Sequence, residues 1–320
     1  MKAFAWVEPD DLANALSAGA QQGALYKAGG VDVLDRLKEH LDEPQTLINI
    51  GRLPGLDFLR DDGSGGLKIG PLVTLAVLAE DPKVRRNAPA LADAAGAAAT
   101  PQIRNVATLG GNLAQRPRCW YFRKEQFHCR RKGGNECFAL DGQNELHAVF
   151  DNDLCAIVHP SATATALSAL GAKLVLKGPQ GERTMAIEEF FVSPKADVTR
   201  ETVLKPGELI VEVRVPGGRK SGYVKLMEKQ SFDWPLAEAA VSFRQEAGEM
   251  RDVRVVLGAA APVPWRAAAA EKMLEGHRLD EKLAGEAARA ALEGAKPLQH
   301  NGYKLALLEA AARRALMGAA

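Results

Sequence analysis

TPQIRNVATLGGNL, residues 100–113, runs almost directly into the part of the chain that holds its cysteines. The glycine pair and the small side chains of this stretch would let a ligand approach the backbone closely. All four cysteines then follow within 37 of the 320 residues, as Cys119, Cys129, Cys137 and Cys155. We therefore expect the rest of the fold to be organised around residues 99–160.

The bulk composition describes an ordinary globular protein of two domains or subdomains. Apolar residues make up 47% of the chain and charged residues 25%, and 41 Lys and Arg face 40 Asp and Glu. Such a balance gives no sign of a nucleic-acid binder. No apolar signal core opens the sequence, and no stretch reaches the length of a membrane span. We expect a cytoplasmic protein, or a periplasmic one if a partner subunit carries it there.

Hydrophobic periodicity predicts three consecutive units. Residues 1–56 alternate, with strands at 4–7, 24–27 and 46–50 and helices at 10–18 and 31–40. Within residues 57–217 the pattern predicts strands at 66–70, 71–74 and 209–215 and a hairpin at 173–186. It predicts helices there at 75–80, 84–96 and 161–170. After a boundary at GGRK, residues 217–220, three antiparallel strands are predicted at 223–229, 237–245 and 252–258, with helices at 265–274, 280–292 and 303–316.

Two glycine loops are candidates for binding a nucleotide. KAGGVDVLD, residues 27–35, places a glycine pair between a strand and a helix, where backbone N–H groups and the helix dipole can meet an anion. It is neither GxGxxG nor a P-loop, and alone it would equally suit an ordinary turn. ATLGGNL, residues 107–113, repeats the pattern and adds Thr108 and Asn112. Together the loops could hold the two phosphates of a dinucleotide from both sides.

The cysteines are spaced C-x9-C-x7-C-x17-C. Zinc knuckles and low-potential ferredoxins use tighter CxxC spacings, so wide spacing favours an iron–sulfur cluster enclosed by an excursion loop. Structural zinc and disulfides stay open as alternatives. Few apolar residues accompany the cysteines, so we expect the segment to depend on its cluster for order. Basic side chains would offset the negative charge of a cluster: Arg116, Arg118, Arg123, Lys124, Arg130, Arg131 and Lys132.

The three histidines of this region receive different predictions. We expect His128 and His147 to lie on a loop surface rather than to bind metal. His159 precedes Pro160 and a helix start, where it would cap the helix or touch a cofactor. Local sequence suggests no role for Ile210 or Lys225, because an isoleucine in a strand is usually core and a lysine there is usually solvated.

The sequence resembles the FAD-binding medium subunit of the xanthine dehydrogenase family of molybdenum hydroxylases. The resemblance rests on AGGVDVLD, IGPLVTLAVL, IRNVATLGGNL, HPSATATALSALGA, PGELIVEVRVP and VLGAAAPVPWRA, which span nearly the whole chain in order. The cysteine insert, residues 116–156, resembles the subclass with an additional 4Fe–4S cluster, as in 4-hydroxybenzoyl-CoA reductase and the bacterial three-subunit aldehyde oxidoreductases. NLAQRPRCWYF and CFALDG are closest to the aldehyde oxidoreductases.

This resemblance implies an α+β protein. Its two-lobed FAD-binding fold of the vanillyl-alcohol oxidase (PCMH) type would occupy residues 1–217, with lobes 1–56 and 57–217. A C-terminal α+β domain like that of carbon monoxide dehydrogenase flavoproteins would occupy residues 218–320. The four cysteines would bind the 4Fe–4S cluster. The implied FAD contacts are Lys27, Ala28, Gly29, Gly30, Val31, Asp32, Val33, Leu34, Thr108, Gly110, Gly111, Asn112, Gln115, His159, Ile210 and Lys225.

Two departures from the family pattern put single contacts in doubt. Val31 and Asp32 stand where threonine or asparagine is common, which affects one phosphate contact. Ala162 replaces an aspartate that usually contacts the adenosine, so a backbone group or Thr163 would have to serve.

The resemblance also implies partners: a large molybdenum-cofactor subunit, a small 2Fe–2S subunit and an external electron acceptor or donor. No catalytic residue is expected on this chain, because the cofactors supply the redox chemistry. Aldehyde oxidation is the favoured activity, with 4-hydroxybenzoyl-CoA reductase-like and xanthine dehydrogenase-like enzymes as alternatives. Two further hypotheses are a zinc-stabilised nucleotide-binding interaction module and a stand-alone reductase resembling the enolpyruvoyl-glucosamine reductases.

Overall fold

A computed structural model describes residues 1–229 and 231–320. The N-terminal segment forms a parallel sheet in the order β1-β3-β2. Parallel neighbours need a crossover rather than a tight turn, and helices supply it here. The predicted alternation in residues 1–56 is thus confirmed. Its elements are β1 (Ala5–Val7), α1 (Leu12–Gly19), β2 (Ala24–Lys27), α2 (Val31–Lys38) and β3 (Thr46–Asn49).

An antiparallel second sheet has the order β4-β5-β8-β6-β7, so strands from before and after the cysteines lie side by side. The predicted hairpin at 173–186 is confirmed. Its strands are β4 (Leu59–Asp61), β5 (Leu67–Ile69), β6 (Lys173–Gly178), β7 (Gly181–Ala186) and β8 (Leu209–Val215). The helices between β5 and β6 are α3 (Leu75–Glu80), α4 (Pro82–Asn87), α5 (Pro89–Ala97), α6 (Pro101–Arg104), α7 (Leu109–Leu113), α8 (Trp120–Arg123) and α9 (Ala162–Leu170).

The third sheet has the order β12-β11-β10-β9 and is antiparallel throughout. Three helices follow or flank its last strand. The elements are β9 (Lys220–Leu226), β10 (Ala237–Glu246), β11 (Glu249–Gly258), β12 (Trp265–Arg266), α10 (Ala268–Leu274), α11 (Glu281–Ala290) and α12 (Lys304–Gly318). Within the described ranges, no helix combines the length and the apolar character needed to cross a bilayer.

Alanine-rich packing joins the second sheet to the third. All nine residues of α9 are buried. One side of this helix, with Leu167 and Leu170, belongs to the core of the second sheet. Its other side, with Ala166 and Ala169, packs with Ala240 of β10. Because alternate strand residues point to opposite faces, the neighbours of Ala240 belong to the core beneath α12 instead. The third sheet is therefore covered on both faces.

Four local predictions are wrong. Residues 71–74 form a turn with one bridge from Thr74 to Thr108 rather than a strand. The predicted helix at 84–96 is two helices, because Pro89 favours extended backbone at Ala88. The third sheet has a fourth strand, β12, where a helix was predicted to begin. The insert also has an apolar core of its own, in which the Tyr121 ring lies 5.0 Å from Phe127.

The insert is tied to the last helix by buried polar groups. Lys304 of α12 donates from Nζ to the carbonyls of His147 (3.0 Å) and Ala259 (2.6 Å). Asn301 donates to the carbonyls of His147 and Ala148 at 3.1 and 3.0 Å. Asn144 accepts from the His300 N–H at 2.9 Å. Since buried carbonyls need donors, these bonds fix the end of the insert on the C-terminal helices.

Candidate functional site

The two glycine loops face one another across a cavity of about 410 Å³, which we call the loop cavity. Gly29 and Gly30 from the first loop and Thr108, Gly111 and Asn112 from the second lie on its wall. The third sheet completes the wall with side chains of β9 and β10. This volume lies within the range typical of cofactor cavities, about 300–1,000 Å³.

Both glycines of the first loop are required by geometry. A Cβ on Gly29 would lie 1.9 Å from the carbonyl oxygen of Val106, so the loops could not approach each other with any side chain there. Gly30 has a φ of +85° and forms the N-cap of α2, without a side-chain cap. The first-turn N–H groups of α2 are therefore available at the cavity wall, which is the arrangement that binds phosphate at helix N-termini.

The second loop is fixed by side-chain hydrogen bonds. Thr108 caps α7 by accepting from the Gly111 N–H at 3.2 Å. The Asn112 Oδ1 accepts from the hydroxyls of Ser161 at 2.6 Å and Thr163 at 2.7 Å. These bonds lock the loop to the start of α9. They also occupy Thr163, which is fully buried, so Ala162 rather than Thr163 lies on the cavity wall.

Eleven of the sixteen predicted FAD-contact residues line the loop cavity. They are Ala28, Gly29, Gly30, Val31, Asp32, Val33, Thr108, Gly111, Asn112, Gln115 and Lys225.

Five predicted contacts lie outside that wall, and four of them are held by other neighbours. Lys27 donates from Nζ to Asn49 Oδ1 at 3.2 Å. Leu34 is on the outer side of α2, 37% exposed. Gly110 packs against Pro71, and Ile210 lies in the core of the second sheet. His159 is buried with its ring 4.5 Å from that of Phe191 and accepts from the Ser161 N–H, while Ser161 itself is the N-cap of α9.

Asp32 makes ion pairs that the sequence did not reveal. Its carboxylate accepts a hydrogen bond from Arg123 Nη2 at 2.7 Å and forms ion pairs with Arg118 Nη2 at 3.0 Å and Arg36 Nε at 3.1 Å. The backbone N–H of Arg116 also donates to it at 3.1 Å. Burial would raise the pKa of Asp32, but the three guanidinium groups together lower it. This set of bonds, the Asp32 clasp, joins the first turn of α2 to the start of the insert.

Lys225 and Glu238 face each other across β9 and β10 on the cavity wall. Lys225 donates from Nζ to the Ala97 carbonyl at 2.9 Å. Glu238 is 2% exposed and accepts from the Tyr223 hydroxyl at 2.8 Å. Burial raises the pKa of Glu238 to about 7 and lowers that of Lys225. Only the strand register reveals Glu238, since nothing in the sequence around it is distinctive.

The four cysteines line a second, smaller cavity, the cysteine cavity, together with His147 and Arg131. All four are free thiols, so the disulfide alternative finds no support. In residues 1–229 and 231–320, no three His, Cys, Asp or Glu side chains are grouped tightly enough to hold a single metal ion.

The thiols differ in electrostatic setting. Burial raises the pKa of Cys119 to about 12. A hydrogen bond from Cys137 and the nearby Arg131 guanidinium lower the pKa of Cys155, and the same bond raises that of Cys137. His147, predicted at the surface, is 3% exposed, and its Nε2 lies 3.3 Å from Cys119 Sγ. Burial also lowers the pKa of His147 to about 4, so the imidazole is neutral.

The two cavities adjoin through consecutive residues. Arg118 lines the loop cavity, with its guanidinium 5.1 Å from the Trp234 ring. Cys119 lines the cysteine cavity. Because consecutive Cα atoms are about 3.8 Å apart, a single peptide unit separates the two walls at this point.

Comparison with known proteins identifies the family to which both parts of the chain belong. Residues 2–218 match the FAD binding domain in molybdopterin dehydrogenase, and residues 222–319 match the CO dehydrogenase flavoprotein C-terminal domain. The aldehyde oxidoreductase FAD-binding subunit PaoB of Escherichia coli is 38% identical over 86% of this chain and 86% of its own length. The carbon monoxide dehydrogenase medium chain of Hydrogenophaga pseudoflava is 30% identical over 99% and 96%.

Solved structures extend the likeness to the fold. A structure of carbon monoxide dehydrogenase from Hydrogenophaga pseudoflava superposes with a TM-score of 0.77 at 29% identity, covering 99% of this chain and 97% of the other. Quinoline 2-oxidoreductase from Pseudomonas putida shares the fold, with a TM-score of 0.76 over 100% and 98% at 24% identity. The predicted α+β class is confirmed, and the chain belongs to the FAD-binding medium subunits of the molybdenum hydroxylases, the family of xanthine and carbon monoxide dehydrogenases.

Proposed function

We propose that this chain is the FAD and 4Fe–4S electron-transfer subunit of a heterotrimeric molybdenum hydroxylase that oxidises aldehydes. The observation that supports it most directly is the lining of one cavity by all four cysteines, one peptide unit from the loop cavity. When bound, FAD would exchange electron pairs with an external partner, and the cluster would pass electrons singly. This chain's residues hold, orient and shield both groups.

FAD fits the loop cavity by the chemistry of its walls. Two loops approach each other so closely that Gly29 admits no side chain, and α2 presents uncapped N–H groups at the same wall. Pyrophosphate is the ligand that such a wall favours. Lys225 adds a cation at the far side of the cavity, where Glu238 offers an oxygen that can hold a proton near neutral pH.

We favour a cluster over zinc on the ligand set and its spacing, and the cysteine cavity, of about 10 Å³, would have to widen to admit one. Tetrahedral zinc, with Zn–S bonds of about 2.3 Å, would need its four sulfur atoms within about 3.8 Å of one another. Grouping of that kind is absent from the described residues, although the four thiols line one cavity. A four-iron cube is larger than one ion and holds its thiolates farther apart.

The proposed partners follow from the family. A large molybdenum-cofactor subunit and a small 2Fe–2S subunit would complete the enzyme, with an external acceptor or donor at the flavin. Aldehydes are favoured because the relative named an aldehyde oxidoreductase subunit is 38% identical to this chain. The purified chain alone should oxidise no aldehyde, purine or aromatic thioester. Turnover of any of these by the chain without molybdenum would contradict its assignment as a subunit.

The deciding experiment measures iron, acid-labile sulfide, zinc and flavin per chain on protein prepared without oxygen. We expect about four irons, about four sulfides and one FAD, with flavin absorption bands above a broad brown shoulder. About one zinc without sulfide would identify a structural zinc site. Flavin without any metal would instead favour a stand-alone reductase.

A further inference from the structure

Arg131 is a buried cation on the wall of the cysteine cavity. It lies on a single 3-10 turn (Arg130–Lys132) directly after Cys129, and it is 3% exposed. The other six basic residues of the insert region are all more exposed. Arg130 also lines the cavity, but its guanidinium donates to the carbonyls of Asn135 and Leu154. Three others pair with carboxylates and do not line the cavity: Arg116, Arg118 and Arg123.

In the described part of the chain, one edge of the Arg131 guanidinium donates hydrogen bonds to oxygen atoms and the other does not. Nη1 donates to Glu201 Oε1 at 2.9 Å and to the Arg200 carbonyl at 3.1 Å. Nε and Nη2 are buried and reach no nitrogen or oxygen acceptor among the described residues, and the acceptor nearest to this edge is the Cys155 sulfur. Because buried donors need acceptors, this edge is open to a further acceptor.

The unfilled edge belongs to the cavity. Arg131 lines it and lies against Cys155, whose thiol also interacts with Cys137. Glu201 does not cancel the charge, because it is shared with Arg116 through a bond of 2.9 Å to Nε. Two guanidinium groups therefore face one carboxylate, which leaves a net positive charge at the wall.

We propose that Arg131 is a positioning residue that donates from Nε and Nη2 to sulfur in the cysteine cavity and raises the reduction potential of the cluster bound there. This inference rests on the proposed 4Fe–4S site. A cluster with four thiolates is anionic and gains further negative charge on reduction, so a fixed buried cation stabilises its reduced form more than its oxidised form.

The test is a redox titration of the complete enzyme, followed by the electron paramagnetic resonance signal of this cluster. Arg131→Gln should lower the ratio of reduced to oxidised cluster about tenfold at the wild-type midpoint, a shift of about 59 mV for one electron. Arg131→Lys keeps the charge but loses the planar fork, and its shift should lie between those of wild type and Arg131→Gln.

Two more variants separate electrostatics from general disruption. Glu201→Gln removes the counter-charge and should shift the potential upward, opposite to Arg131→Gln. Lys132→Gln loses the same charge from the same turn, but its Nζ bonds to the Lys124 carbonyl, away from the cavity. Its potential should equal that of the wild type. If Arg131→Gln cannot retain iron, Arg131→Lys and Glu201→Gln decide the question.

An unchanged potential in an iron-replete Arg131→Gln enzyme would overturn the role of Arg131 while leaving the cluster assignment intact. Shifts of Arg131→Gln and Glu201→Gln in the same direction would do the same. Wild-type enzyme without acid-labile sulfide would overturn the cluster itself and this inference with it, so the two failures are distinguishable.

Discussion

The loop cavity and the cysteine cavity adjoin, yet they are built from different parts of their residues. The loop cavity is formed largely by backbone: glycines that allow two loops to approach, and helix N–H groups at its wall. The cysteine cavity is formed by side chains on an irregular segment whose elements are one turn each. A backbone site fails when a side chain is added, whereas a side-chain site fails when one atom is exchanged. This difference sets the order of the predictions that follow.

The largest effect is expected from exchanging a single sulfur. Cys119→Ser, Cys129→Ser, Cys137→Ser or Cys155→Ser should each lower iron to well below four per chain while flavin is partly retained, because no other cysteine can substitute. Iron, sulfide and flavin analysis of the same preparations measures this.

Partial order should survive the loss of the cluster, since the insert has an aromatic core and Lys304 and Asn301 hold its end. Residues 130–135 should become the first site of limited proteolysis. Full iron in any one of the serine variants would exclude that cysteine from the site.

Adding a side chain to either glycine of the first loop should instead weaken the binding of FAD. Gly29→Ala places Cβ against the Val106 carbonyl, and Gly30→Val adds a branched side chain at a φ of +85°. Strain of about 1–3 kcal/mol at such positions corresponds to an affinity for FAD reduced about tenfold or more. Cluster content should be largely preserved. Gly302→Ala, with no atom within 4 Å of its new Cβ, is the control. Normal flavin content in soluble Gly30→Val protein would remove the first loop from the site.

The Asp32 clasp tests whether the two cavities are independent. Asp32→Asn removes the carboxylate that three partly buried guanidinium groups share, leaving them Asp35 and Asp42, and should destabilise the chain by about 1–3 kcal/mol. Both flavin and iron content should fall, and proteolysis after Arg116 or Arg118 should accelerate. Asp35→Asn, on the same helix but more exposed, should have a smaller effect. Loss of one cofactor alone from the Asp32→Asn protein would show that the clasp does not couple the sites.

The smallest effect, taken over one pH unit, concerns the pH dependence of stability. The pKa of Glu238 is raised to about 7, so the folded chain retains a proton that the unfolded chain releases near pH 4.5. Its contribution to stability therefore falls as pH rises from 4.5 to 7, by at most about 1.4 kcal/mol per pH unit. Glu238→Gln should flatten this slope in thermal unfolding of the chain, and Glu246→Gln, exposed on the same strand, should not. The pKa of Lys304 is lowered to about 7, so Lys304 changes the stability of the fold mainly above pH 7.

Local pattern was sufficient for much of the fold and for part of the site. The alternation of strands and helices in residues 1–56 follows from apolar periodicity. Both glycine loops are recognisable in the sequence because a site built from backbone requires glycine. Contacts that depend on tertiary neighbours were not predictable. The Asp32 clasp joins positions 84–91 residues apart, and Glu238 reaches the cavity only through the register of β9 with β10. His147 was assigned to the surface because the aromatic core that buries it is assembled from separated residues.

The hydrogen bond from Lys304 to the carbonyl of His147 spans 157 residues of sequence. This bond also implies an order of folding steps. While the chain is being synthesised, the cysteines emerge long before α12 exists, so the wall that contains His147 lacks its support. We expect the cysteine cavity to stay open until α12 has left the ribosome and docked. Iron and sulfide would then be delivered to a chain whose insert is not yet held by α12, and the docking of α12 would close the site after they are bound.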